Sequence, residues 1–284
     1  MERYLSDQLI EEVGHEYRAT CPDAPAHGRA AIVTAGVPGA GKSVAVDMLA
    51  TDHRRIDPDD IKDLILIRLH RAGLLNYARN HVLADGKPVH PSELARWVHD
   101  ASTEAANRVR AVSLRLGENF VMEGTLSWTP LIDKYVTDLA SDDYEQLTVI
   151  DVEVPFALAV EQSKHRWWTA REPVRTVDGV ELGGRFITEA ALEDFYIRQR
   201  RVSKCAVNAR KLRSSANRAG IETDLLVVSR TSTGSEYRAW LRPNGDVDPS
   251  QGAPLGAVCI KCGAILTNPS AIATGVGRSR AYRS

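Results

Sequence analysis

Four cysteines in 284 residues (Cys21, Cys205, Cys259 and Cys262) are too few and too irregularly spaced for a disulfide framework. Their scarcity leaves an apolar core to hold the fold and points to a reducing, cytoplasmic setting. No apolar run is long enough to span a bilayer, so no membrane partner is expected. The opening "MERYLSDQLIEEVGHEYR" is acidic and amphipathic and lacks a signal-peptide pattern. Net charge is −1, so no global basic field argues for a nucleic-acid partner. Internal repeats are absent as well. What remains is 43% hydrophobic and 26% charged, an ordinary globular mix, sufficient for one large α/β domain or two modest ones.

The patterns that are present alternate between strand and helix. Residues 6–19 predict a helix started by Ser6, with Leu9, Ile10, Val13 and Tyr17 along one stripe. "CPDAPAHG" breaks it before a buried strand at Ala31–Ala35, and Ser43–Leu49 resumes with helical spacing. A strand ending near Ile56 leads through a turn to a second helix. A loop over "YARNHVLADGKPVHP" follows, then a helix from Pro91 to Gly117. "NFVMEG" and "LTVIDVEVP" read as strands and "FALAVEQSKHRWW" as the start of a helix. "TAREPVRTVDGVELGGRF" has weak periodicity and reads as mobile. A long helix is expected from Thr188 to Ala219, and "ETDLLVVS" as a last strand. Strands separated by helices predict an α/β fold, a parallel sheet with helices on both faces. From about Arg230 the composition shifts to a small C-terminal extension of unclear order. Its "CIKC" is half of a zinc site with no second pair nearby, and reads as free thiols.

Chemistry concentrates in three places. Gly36, Gly41, Lys42 and Ser43 fit G-x-x-x-x-G-K-[ST], between a strand and a helix. Glycines let successive N–H groups approach phosphate oxygens at the positive end of the helix. The cradle comprises Gly36, Val37, Pro38, Gly39, Ala40, Gly41, Lys42, Ser43 and Val44; Lys42 would reach the terminal phosphates and the Ser43 hydroxyl a magnesium ion. "IDPDDIK" sets Asp57, Asp59 and Asp60 at the end of the second strand, where one acid can take a proton and another cap a helix. "FVMEGT" delivers Glu123, Gly124 and Thr125 to the same sheet edge. Glu104 borders the apolar stripe of the preceding helix. Arg166, Arg171, Arg175 and Arg185 then form an arginine-rich stretch suited to a lid over phosphates.

In this order, "GVPGAGKS", "IDPDDIK", "FVMEGT" and the post-strand arginines resemble the zeta toxin family of bacterial toxin–antitoxin kinases, from roughly Arg29 to Ser229. The resemblance implies a P-loop kinase domain at 29–229, preceded by an N-terminal helix (1–28) and followed by the extension at 230–284. It implies ATP and Mg²⁺ as cofactors and phosphorylation of a sugar hydroxyl of UDP-N-acetylglucosamine, with a cognate antitoxin as partner. Carried over, Asp59 is the general base, Lys42 and Ser43 hold phosphate and magnesium, and Glu104, Glu123 and Thr125 contact the nucleotide sugar. Arg166 and Arg185 are the lid arginines, with Arg171 or Arg175 able to replace either. Two alternatives stand beside this reading. One is a kinase of the same fold acting on another small molecule (a dinucleotide or an antibiotic) or a nucleic-acid end. The other is a non-enzymatic, nucleotide-gated binding protein.

Overall fold

Strand β1 (Ala30–Ala35) is buried at five of its six positions, so both faces of the sheet are covered where it runs. The computed structural model describes residues 4–20, 27–197, 199, 202–232, 235–242, 247–249, 257–258 and 265–266. Before β1 lies helix α1 (Asp7–Thr20); after it come α2 (Lys42–Leu49), β2 (Arg54–Ile56), α3 (Pro58–Arg71) and the short α4 (Asn76–Arg79). A 3₁₀ helix (Pro91–Val98) runs into α5 (His99–Leu116), followed by β3 (Phe120–Met122), α6 (Leu131–Ser141), β4 (Gln146–Glu153) and α7 (Phe156–Arg171). Two small hairpins come next: β5 (Thr176–Val177) with β6 (Val180–Glu181), then, past α8 (Glu189–Glu193), β7 (Tyr196–Ile197) with β8 (Val202–Ser203). Helix α9 (Lys204–Arg218) leads to β9 (Glu222–Arg230), β10 (Glu236–Leu241) and β11 (Val247–Pro249).

The central sheet has the order β11-β10-β9-β4-β1-β3-β2. Strands β9, β4, β1, β3 and β2 are parallel, while β10 and β11 are antiparallel to their neighbours. In register, Ala35 lies opposite Asp151 and Val33 opposite Met122, so the carboxyl ends of β1, β3 and β4 open together. Ile32, Val33, Val121, Val149, Ile150 and Leu225–Val228 fill the core. Helix α9 packs on β4 and β9 with α6 beside it, while α1, α3 and α5 form a second helical group next to β2 and β3.

Three expectations change. The long helix over Thr188–Ala219 is two helices. Thr188 caps α8 by accepting from the Ala191 N–H (3.1 Å), and Ser203 caps α9 by accepting from Ala206 N (2.9 Å). Between them Tyr196 is buried, its hydroxyl on the Val154 carbonyl at 3.0 Å, which favours a hairpin over helix. The stretch read as mobile after Trp168 is instead packed, with Arg171 fully buried and a hairpin turning at Asp178-Gly179. The strand expected to be last, β9, is followed by β10 and β11, so the sheet runs on past Arg230. Cys21, Cys259 and Cys262 lie outside the described residues. No helix among the described residues is long and apolar enough to cross a membrane.

Candidate functional site

The loop from Gly36 to Gly41 joins β1 to α2. Gly36 has φ 140°, and a Cβ there would sit 2.6 Å from the Val152 carbonyl oxygen, so a side chain would push the loop off β4. Gly41 caps α2 in the left-handed region (φ 80°), where a Cβ would collide with the Arg230 guanidinium. Arg230 Nη1 donates to the Ala40 carbonyl at 2.8 Å and bracing of the loop therefore comes from the end of β9. The Lys42 ammonium donates to the Gly36 and Val37 carbonyls at 2.9 and 3.2 Å. Burial, and after it the Arg166 charge, lower its pKa, opposed in part by Cys205, Asp59 and Glu123. A desolvated cation resting on neutral carbonyls, beside the N-terminus of α2, fits a bound polyphosphate. Ser43 lies in the first turn of α2 with its side chain exposed, as does Val44.

Across the crevice, Asp57 caps α3: its Oδ1 accepts from Asp59 N at 2.8 Å. Burial, then the charges of Asp59, Glu123 and Asp60, push its carboxyl up to about 7. Asp59 behaves oppositely. Burial resists its ionisation, but Arg185, Lys62 and Arg166 outweigh that and hold it well below the usual carboxylate range. Lys62 Nζ lies 2.8 Å from Asp59 Oδ1, and Arg185 Nη1 lies 3.6 Å from Oδ2 while its Nη2 donates to the Asp59 carbonyl at 2.5 Å. Arg185 also pairs with Asp63 at 2.9 Å, and its buried Nε has no partner among the described residues. The His99 ring, at the start of α5, lies in the fields of Lys62 and Asp59; burial first, then Lys62, lower its pKa.

Glu123 is buried at the end of β3 and pairs with Arg55, which also reaches Asp47 at 2.9 Å. Thr125 joins the two motifs through its backbone: its carbonyl accepts from Gly36 N at 3.2 Å. Its hydroxyl lies 3.0 Å from that of Ser127. Arg166, exposed on α7, makes no ion pair among the described residues, yet its charge acts on both Lys42 and Asp59. Lys42, Asp59, Glu123, Thr125, Arg166 and Arg185 are thus gathered around one crevice. Glu104 is elsewhere. It pairs with Arg108 at 3.1 Å on the exposed face of α5, and Arg108 turns to Asp7 at the start of α1.

Arg171 and Arg175 are structural fasteners. Arg171 Nε and Nη2 meet Asp85 at 2.6 and 2.7 Å, and its Nη1 meets both Glu93 oxygens at 2.9 Å. Arg175 pairs with Asp63 at 2.9 Å and reaches Ser92. Sequence reasoning missed Lys62, Arg55, His99 and Arg230. The first two sit within five residues of the Asp57 motif, a local signal of alternating charge. His99 and Arg230 arrive from distant segments and have no such signal. Cys205 is buried beside the loop; burial, then Glu153, push its thiol up to about 12, keeping it protonated.

The zeta toxin family model matches residues 16–214, well over half of the chain. The chain belongs to the zeta toxin family. Zeta toxins are P-loop phosphotransferases, and the central parallel sheet with the glycine loop between β1 and α2 is the fold of that class. The structure is similar to the crystal structure of AvrRxo1-ORF1:AvrRxo1-ORF2 with sulphate ions (TM-score 0.52, 14% identity, 88% of this chain and 70% of that one). It is similar to the complex of ORF1 and ORF2 with ATP as well (TM-score 0.51, 14% identity, 90% and 75%). A structure from the PezAT chromosomal toxin-antitoxin system of Streptococcus pneumoniae aligns at TM-score 0.49 with 18% identity, over 82% of each chain. At such identities the likeness is one of fold. No curated protein matches the chain.

Proposed function

We propose that the protein is an ATP-dependent kinase that transfers the terminal phosphoryl group to a sugar hydroxyl of a UDP-N-acetylglucosamine-type nucleotide sugar, and so acts as a toxin against cell-wall synthesis. One observation supports the reading: the Lys42 ammonium, on the Gly36 and Val37 carbonyls of the glycine loop, lies within the electrostatic reach of Asp59, a carboxylate kept ionised by Lys62 and Arg185. Among the described residues no group of three or more His, Cys, Asp or Glu forms a metal cage. Magnesium bound with nucleotide phosphates needs only one or two protein ligands, and the Ser43 hydroxyl would be one of them. Such an ion, when bound, would neutralise charge on the phosphate oxygens.

The chain's own groups do the rest. Backbone N–H groups of Gly39, Gly41, Lys42 and Ser43 hold the donor's phosphates, since Pro38 has none and those of Gly36 and Ala40 are bonded to the Thr125 and Val37 carbonyls. Lys42 exchanges its loop carbonyls for phosphate oxygens. Arg166 and Arg185 stabilise charge that spreads over the moving phosphoryl group. As the acceptor oxygen bonds to phosphorus and the bond to the leaving phosphate breaks, Asp59 accepts the hydroxyl proton. A loose transition state releases that proton late, so a weakly basic carboxylate suffices. Glu123 and Thr125 line the acceptor side of the crevice. A cognate inhibitory protein belongs to the proposal, given the family and the partnered AvrRxo1 complex.

The test is direct. The purified chain is incubated with ATP, Mg²⁺ and UDP-N-acetylglucosamine, and the sugar product is read by phosphorus NMR and mass spectrometry. A nicotinamide dinucleotide and a 5′-hydroxyl oligonucleotide serve as competing acceptors. A new phosphomonoester on the sugar supports the reading. Phosphate on another acceptor only would keep the kinase and replace the substrate, and turnover with none of them would reject both.

A further inference from the structure

Strand β2, which delivers the acid turn, is the outer strand of the sheet and, among the described residues, pairs with β3. Arg54 N and Ile56 O face β3, bonding Asn119 O at 2.8 Å and Glu123 N at 2.9 Å. Alternate residues of a strand direct their polar groups to opposite sides, so the Arg55 carbonyl and the Asp57 N–H face outward. One residue of a further parallel strand would satisfy both groups. Tyr17 of α1 does so with a single oxygen. Its hydroxyl donates to Arg55 O at 3.2 Å and accepts from Asp57 N at 3.0 Å. The residue is only 4% exposed and is seated by the buried Leu9, Ile10 and Val13 of α1, while Arg68 of α3 adds half-exposed surface pairs with Glu12 at 3.0 Å and Glu16 at 2.6 Å. The chain of bonds continues past Asp57, whose carboxylate accepts from Asp59 N.

We propose that Tyr17 is a positioning residue of the phosphotransferase site, holding the Asp57 backbone and, through the α3 cap, the Asp59 carboxylate. The proposal rests on the reading of Asp59 as proton acceptor. Tyr17 touches neither donor nor acceptor; it acts through the turn. Removing its hydroxyl while keeping the ring leaves the Asp57 N–H facing an apolar edge where water is excluded. The turn then relaxes, and a small misplacement of Asp59 is enough to slow transfer. Helix α1 is in this view a part of the catalytic unit.

The experiment uses the full chain as wild type, Tyr17→Phe and Arg68→Ala. Amide exchange at Asp57 is followed by NMR, and phosphoryl transfer by steady-state kinetics. In Tyr17→Phe, loss of a buried hydrogen bond should speed Asp57 exchange by about tenfold. Its kcat should fall by about tenfold with KM for ATP unchanged, as expected for lost orientation. Arg68→Ala loosens the α1–α3 contact without touching the hydroxyl, and should keep wild-type kcat and wild-type exchange at Asp57. Unchanged kcat or unchanged exchange in Tyr17→Phe would overturn the proposal, as would an equal kcat loss in Arg68→Ala. A wild-type chain that transfers phosphate to no acceptor would overturn the kinase reading and the proposal with it, whereas failure of Tyr17→Phe in an active enzyme overturns the proposal alone.

Discussion

Lys42 illustrates the cost of readiness at a single residue. Its ammonium is desolvated and meets only carbonyl dipoles before phosphate arrives. Lys42→Met should therefore leave the melting temperature of the free protein unchanged or higher, while abolishing the rise that ATP produces in the wild type; scanning calorimetry with and without nucleotide reads both. The acids divide by the same logic. Asp59→Asn cannot accept a proton, so transfer should fall by ~10²–10⁴-fold with ATP affinity retained. Asp57→Asn keeps a good helix cap and removes a carboxyl whose folded pKa is raised to about 7. A raised carboxyl lends stability below its ordinary value and loses it as pH climbs through the folded one. The variant should gain on the wild type as pH rises from about 4 to about 8, by denaturant unfolding, and gain nothing below that window. The phosphate loop was legible because all its parts are local. Glu104 was assigned by resemblance and lies at the surface, while His99 from the same helix stands near Asp59, and only folding reveals which turn of α5 faces the crevice.

Among the elements, the segment from α7 to β6 was the hardest to read. Four arginines in an irregular stretch suggest a lid, yet two of them are internal fasteners, because carboxylates from residues 63, 85 and 93 reach them across long sequence separations. Arg171→Ala would leave Asp85 and Glu93 without their shared cation, readable as a lower denaturant midpoint. Arg166→Ala should behave in the opposite way. With no ion pair among the described residues to lose, its melting temperature should hold while kcat falls by roughly tenfold or more. Arg185→Ala combines the two, since that side chain holds both Asp59 and Asp63. A pattern of equal kinetic losses without stability differences would contradict this division. The split of the expected helix at 188–219 has a related cause. Helical propensity over that window ignores the local caps at Thr188 and Ser203, and it cannot see the long-range contact that buries Tyr196 against Val154.

At the scale of the whole molecule, alternating strands and helices were enough to read a parallel sheet, since each buried strand is a short apolar run between glycine or polar breaks. The antiparallel addition of β10 and β11 was not readable, because the sequence after Arg230 is largely polar and the first three residues of β10, Glu236–Arg238, are only half-buried. That addition bears on the site through Arg230, which is held by Glu236 of β10 at 2.8 Å while it braces Ala40. Arg230→Ala should weaken ATP affinity by about tenfold, in keeping with one charge-assisted hydrogen bond, with kcat at saturating ATP little changed; titration calorimetry and kinetics check the pair. The strand order also sets a schedule for synthesis. Strand β1 is made first of the strands but stands between β3 and β4, and β4 in turn awaits β9. The phosphate loop therefore leaves the ribosome well before Arg230, the residue at the end of β9 that braces Ala40. That brace spans 190 residues of sequence and is gained only when the sheet closes, so full affinity for nucleotide should be the last property the fold acquires.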